Sequence, residues 1–102
     1  MSDREQDVVK VSHWANANQI AGCIAGKIRE NGFPITVKAG GTEAIYKAIK
    51  SITIARGYLL DDGFDVCFTP TLYTKHYSDG GDLDLMQFRL EDISVDETNK
   101  NS

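Results

Sequence analysis

The chain has 102 residues, 41% of them hydrophobic and 25% charged, with a formal net charge of −4. That length supports one domain around one core, and the composition is that of an ordinary soluble globular protein. No apolar run approaches the roughly 20 residues that span a bilayer, the polar start Met-Ser-Asp-Arg-Glu-Gln-Asp is unlike a signal peptide, and the acidic total is unlike the strongly basic balance of many nucleic-acid binders.

Residues 1–7 read as a solvated acidic arm. Val8 to Ser12 is short and β-branched, a strand with Val9 and Val11 on one face. His13 to Asn18 forms a loop in which Asn16 and Asn18 are both N-cap candidates. A helix is predicted from Gln19 to Glu30, with Ile20, Ala21, Ile24, Ala25 and Ile28 as its apolar stripe and Asn31-Gly32 as its stop. Gly22 and Gly26 lie on a flank of this helix. Each costs about 1 kcal/mol relative to alanine, so close approach by the domain's own sheet or second helix, or by another subunit, is expected there.

Pro34 ends any continuation, and Ile35 to Ala39 alternates as a second strand with Thr36 and Lys38 outward. The segment from Gly40 to Gly57 reads as a complete helix. Thr42 is placed to cap it, Glu43 and Arg56 complement its dipole, and Gly57 closes it. Ala44, Ile45, Ala48, Ile49, Ile52 and Ala55 form its apolar face. Ile54 falls nearly opposite Ile45, beside Lys47 and Lys50, where it is either half covered by the hairpin or part of a subunit interface.

Tyr58 to Gly63 is predicted as a loop. Phe64 to Leu72 restores a period of two, and Pro70 marks this strand as an edge or a bend. Ser78-Asp79-Gly80-Gly81 is a turn signal, and Asp82 to Ile93 is the last strand. There Leu83 and Leu85 are out of phase with Met86, Phe88 and Leu90, which predicts a bulge near Leu85 or Met86. Residues 94–102 read as a flexible tail. The order β-α-β-α-β-β gives an α+β domain over 8–93, with two helices on one face of a small mixed four-stranded sheet.

Charge is distributed unevenly: residues 27–56 hold six bases and two acids, and 57–84 hold six acids and one base. A local cationic face is therefore expected despite the acidic total. Cys23 and Cys67 lack metal or redox spacing and read as small buried or half-buried thiols. No nucleophile, base and orienting group stand in a recognisable pattern, so no enzymatic activity, cofactor or metal is expected. Gly40-Gly41 ahead of a helix either cradles a phosphate or is a plain strand-to-helix turn. Trp14, beside His13, either stacks on a nucleobase or partner, or folds back on the first helix as a hydrophobic staple. Tyr73, Lys75, His76 and Tyr77 decorate the hairpin.

Several segments, in order and spacing, resemble the stage V sporulation protein S family. They are Val9-Lys10-Val11-Ser12, Ala21-Gly22 with Ile24-Ala25-Gly26 and Ile28-Arg29-Glu30, Ala44-Ile45, Ala48-Ile49-Lys50, Ile54-Ala55-Arg56-Gly57 and Thr69-Pro70. The resemblance covers about residues 8–92. It implies an Alba-like fold and a homodimer or higher homo-oligomer that binds DNA or RNA and regulates sporulation, development or septation. The lack of an apolar span and of a signal-like start makes a cytoplasmic protein with no membrane association the expectation. Transferred to this chain, nucleic-acid contacts would come from Lys10, His13, Trp14, Asn16, Asn18, Gly41, Thr42, Lys47, Lys50 and Lys75. Gly22, Gly26 and Ile54 would lie at the oligomer interface. Archaeal Alba proteins carry lysines in the loop after the first strand, whereas residues 13–18 here have none and the hairpin tip is acidic. Weak or single-strand binding is therefore expected over tight duplex binding. The competing expectation is a self-assembly or protein-interaction module that does not use nucleic acid.

Overall fold

The computed structural model describes residues 7–93. Its elements are β1 (Val8–Val11), α1 (Ala17–Asn31), β2 (Ile35–Gly40), α2 (Thr42–Leu60), β3 (Val66–His76) and β4 (Asp82–Asp92). The strands lie in the order β1-β2-β4-β3. The pair β1/β2 is parallel, and β2/β4 and β3/β4 are antiparallel. A parallel pair needs a crossover, which α1 supplies; the chain then crosses again through α2 to the far edge. The expected α+β fold is the observed one. Of the expected arm and tail, residues 1–6 and 94–102 lie outside the described residues.

Alternation decides which face is covered. Val9, Val11, Ile35, Val37, Ala39, Phe88 and Leu90 point to the helices and are buried. They meet Ala21, Ile24, Ala25 and Ile28 of α1 and Ala44, Ala48, Ile52, Ala55 and Leu59 of α2 in one core. The opposite face of the sheet carries no helix. Pro70 sits on the edge strand β3, where its missing N–H leaves no ladder partner wanting.

Of the two N-cap candidates, Asn16 caps α1: its Oδ1 accepts from the Gln19 N–H at 3.1 Å. Gly32 ends that helix as expected, at φ 79° with its N–H donating to the Ile28 carbonyl at 2.8 Å. Several other local expectations are corrected. Thr42 does not cap α2; Gly41 occupies that position without a side-chain bond. Gly57 does not close α2, which runs on to Leu60 because Leu59 is fully buried. Ile49 is exposed, and Ser51 takes a buried place on the apolar face, its Oγ donating to the Lys47 carbonyl at 2.7 Å. Ile54 is half-buried against its own core, as is Ile45 on the other flank of the buried stripe. Beside Gly22 and Gly26 a Cβ would meet nothing within 4 Å among the described residues, so no described element accounts for them. Cys23 is exposed.

No bulge interrupts β4. Its register with β3 is continuous from Val66↔Asp92 to His76↔Asp82, and with β2 from Ile35↔Leu90 to Gly40↔Leu85. Leu83 and Leu85 are out of phase because they lie on the helix-free face. There they cover Gly40 and Gly41: a Cβ on Gly40 would come within 2.7 Å of Leu85 Cδ2.

Candidate functional site

Three surfaces divide the residues expected to act together. The first is the end of the sheet where the parallel strands β1 and β2 both finish. From there the chain leaves through residues 12–16 and through Gly41, so His13, Trp14, Asn16, Asn18, Gly41 and Thr42 belong to one end of the fold. Trp14 is 77% exposed and does not fold back on α1; its ring meets that of His13 edge-on, with centroids 4.1 Å apart. The side-chain oxygen of Asn16 is committed to capping, while Asn18 is exposed in the first turn. Gly41, at φ 88°, donates its N–H to the Asp84 carbonyl at 2.8 Å, which ties this end to the hairpin. That bond takes up one amide of the phosphate cradle envisaged at Gly40-Gly41.

The second surface is the helix-free face. Lys10 of β1 stands beside Lys38 of β2, Lys38 beside Gln87 of β4, and Gln87 beside Thr71 of β3, a single row across the whole sheet. Arg89 lies in the row on one side, paired in register with Thr36 and Thr69. On the other side Gly40, Leu85 and Tyr73 form the next row, and Lys75 with Leu83 the one beyond. Two adjoining depressions, of about 410 and 340 Å³, run along this face and share Lys38 and Gln87. Lys10 and Lys75 are among the contacts that the family resemblance implies; Lys38, Gln87 and Arg89 are not. The outward phase of Lys38 was readable, but its place beside Lys10 depends on the parallel register.

The third surface is the outer side of α2, with Lys47 half-buried and Lys50 exposed. The basic 27–56 stretch does not remain one cationic field. Arg29 Nε pairs with Asp62 Oδ2 at 2.7 Å, and Arg56 Nε with Asp65 Oδ1 at 2.9 Å. Two of its bases are thus matched with acids of the 57–84 stretch.

The hairpin separates its charges by face. Asp82 and Asp84 point to the helix side, where Asp82 contacts His76 at 2.8 Å and Asp84 accepts from Thr74 Oγ1 at 3.0 Å. Tyr73 and Lys75 point the other way, and Lys75 Nζ lies 5.3 Å from the Tyr77 ring centroid. The helix side also exposes Phe68 and Leu72 of β3, on the side of the sheet that carries α2 with its exposed Tyr46 and Ile49. Among the described residues no group of three or more His, Cys, Asp or Glu is placed to hold a metal ion, and no helix is long and apolar enough to cross a membrane.

Among solved structures the chain is similar to Alba from Thermoplasma volcanium. The TM-score is 0.63 at 17% sequence identity, over 82% of this chain and 98% of that one. A likeness at that identity speaks for the fold, which is Alba-like. The family model for stage V sporulation protein S matches residues 7–93, which include every described element. This chain is a member of the stage V sporulation protein S family.

Proposed function

We propose that this protein is a small nucleic-acid-binding homodimer that acts in the regulation of sporulation, development or septation in the cytoplasm. The observation that carries the reading is the His13–Trp14 pair. The tryptophan at the end of two parallel strands is 77% exposed, and among the described residues its ring contact is with the neighbouring His13 rather than with the core. It stands where ligands of open α/β sheets collect, outside the carboxyl ends of parallel strands. Its indole offers a face for a nucleobase, and base–aromatic stacking contributes about 1–3 kcal/mol per base.

A titration of labelled single-stranded RNA, single-stranded DNA and duplex DNA with the full chain, repeated across a salt series, tests this. Single strands should bind at low salt and weaken as salt rises, and Trp14→Ala should weaken them about tenfold or more. Absence of binding to any of the three at low salt, with the protein folded, overturns the reading.

A second reading, self-assembly without nucleic acid, is favoured by the exposed Phe68, Leu72, Tyr46 and Ile49. It expects oligomers that persist after nuclease treatment. The two readings part on whether removing nucleic acid changes anything the protein does.

A further inference from the structure

We infer that the helix-free face of the sheet is a platform for single-stranded nucleic acid, in which Lys10 and Lys38 bind phosphates and Tyr73 stacks a base. The inference rests on the nucleic-acid reading above and adds a surface that the exposed loop does not include.

Lys10 and Lys38 are directly beside one another in the β1/β2 register, and the rest of their row is Gln87 and Thr71. Like charges side by side across a ladder are destabilising. A sheet serving only its own stability would place an acid in that row, yet among the described residues neither lysine has a carboxylate partner. A bound polyanion supplies the missing negative charge.

The rest of the face agrees. Arg89 and Lys75 share it, against one strand acid, Glu91, whose Oε2 lies 3.5 Å from Arg89 Nε, and Asp7 at the rim. The hairpin acids Asp82 and Asp84 point to the opposite face and are engaged there by His76 and Thr74. The acidic total of the chain is therefore not the charge this face presents.

Shape selects the strand type. The two depressions adjoin at Lys38 and Gln87, which line both, and the one nearer the hairpin is bordered by Tyr73, Leu85 and Gly40. Leu85 lies flat over Gly40 because glycine has no Cβ to hold it away. Tyr73, 49% exposed, stands at the end of this apolar floor. A shallow groove with cations along it and an aromatic ring at one end suits an unpaired strand, which can turn its bases onto the protein. Gln87 is placed between, with both donor and acceptor for a base edge.

The test is fluorescence anisotropy of a short labelled oligouridylate and a mixed-sequence single-stranded DNA, over a salt series. It compares the full chain with the double variant Lys10→Gln/Lys38→Gln, with Tyr73→Ala and with Trp14→Ala. The double variant should bind at least about fivefold more weakly at low salt. Its plot of log affinity against log salt should be shallower by about 1.4, two phosphates at about 0.7 each. Tyr73→Ala should lose at least about fivefold with little change in that slope. The urea midpoint of the double variant should hold or rise, since a like-charge contact is removed, which separates lost binding from lost folding.

Undiminished binding by the double variant and by Tyr73→Ala, with Trp14→Ala impaired, overturns this platform and leaves the loop as the contact. Binding by no form, wild type included, overturns the nucleic-acid reading and the platform with it. Displacement of the oligonucleotide by polyglutamate at equal charge concentration overturns the platform in favour of an acidic protein partner.

Discussion

Gly41 sits at φ 88° and ψ 158°, backbone that essentially only glycine adopts without strain. Gly40 before it completes the β2/β4 ladder opposite Leu85, and Thr42 after it is already helical, so the change of direction falls on one residue. Gly41→Ala should lower unfolding stability by about 1–3 kcal/mol in urea. Gly22 and Gly26 are the contrasting case. Both lie within α1, and open space lies where a Cβ would be. Gly22→Ala and Gly26→Ala should each raise the stability of the free chain by about 0.5–1 kcal/mol, read the same way. A loss at either glycine would mean that another helix packs there, as the subunit-interface expectation for these positions requires. Thr42 shows the limit of reading caps from residue type. Threonine is a good N-cap in isolation, but long-range pairing of Gly40 and Gly41 with β4 set the start of the helix.

At the scale of elements, the two helices differ in how far their ends were written locally. For α1 both signals acted as expected: Asn16 caps it and Gly32 stops it. For α2 the glycine at position 57 is overrun. Continuing the helix delivers Leu59 into the core, and that burial, worth about 1.5–3 kcal/mol for a leucine, exceeds the roughly 1 kcal/mol that a helical glycine costs. Leu59 also anchors the exit, its carbonyl accepting from the N–H groups of Asp62 and Phe64 at 2.9 and 3.0 Å. Leu59→Ala should therefore destabilise the chain by about 2–5 kcal/mol, with a lower urea midpoint and an unchanged m-value. The hairpin carries the complementary lesson. Apolar residues on both faces of β4 imitate a bulge in a one-dimensional reading; a second surface at Gly40 and Gly41 gives Leu83 and Leu85 a place without one.

For the whole molecule, the charge pattern and the apolar surface have to be considered together. The basic and acidic halves of the middle of the chain fold against one another through Arg29–Asp62 and Arg56–Asp65. Exposed pairs of this kind each contribute about 0–1 kcal/mol, so their main effect is on the field the protein presents. What remains is a cationic helix-free face and, on the other side, exposed Ile49, Phe68 and Leu72. A second copy seated on that apolar side would leave the lysine row open to solvent. Leu72→Asp should then shift light-scattering mass from dimer toward monomer at micromolar concentration while far-ultraviolet circular dichroism is unchanged. Wild type that is monomeric under the same conditions would remove the dimer.

The sequence by itself determined whatever depends on near neighbours along the chain. The periods of two and of 3.6, the Gly32 stop and the hairpin turn are local, because steric and capping preferences act over a few residues. The choice of Asn16 over Asn18, and of an edge over a bend at Pro70, came with the structure. Strand order, the register that sets Lys10 beside Lys38, the ion pairs across the middle of the chain and the run of α2 to Leu60 depend on residues far apart in sequence. Only the tertiary structure decided these, since such contacts are selected by burial and pairing across the sheet. The candidate site divides along the same line. Trp14 could be singled out from its own loop, whereas the row that contains Lys10 exists only where four separate strands meet.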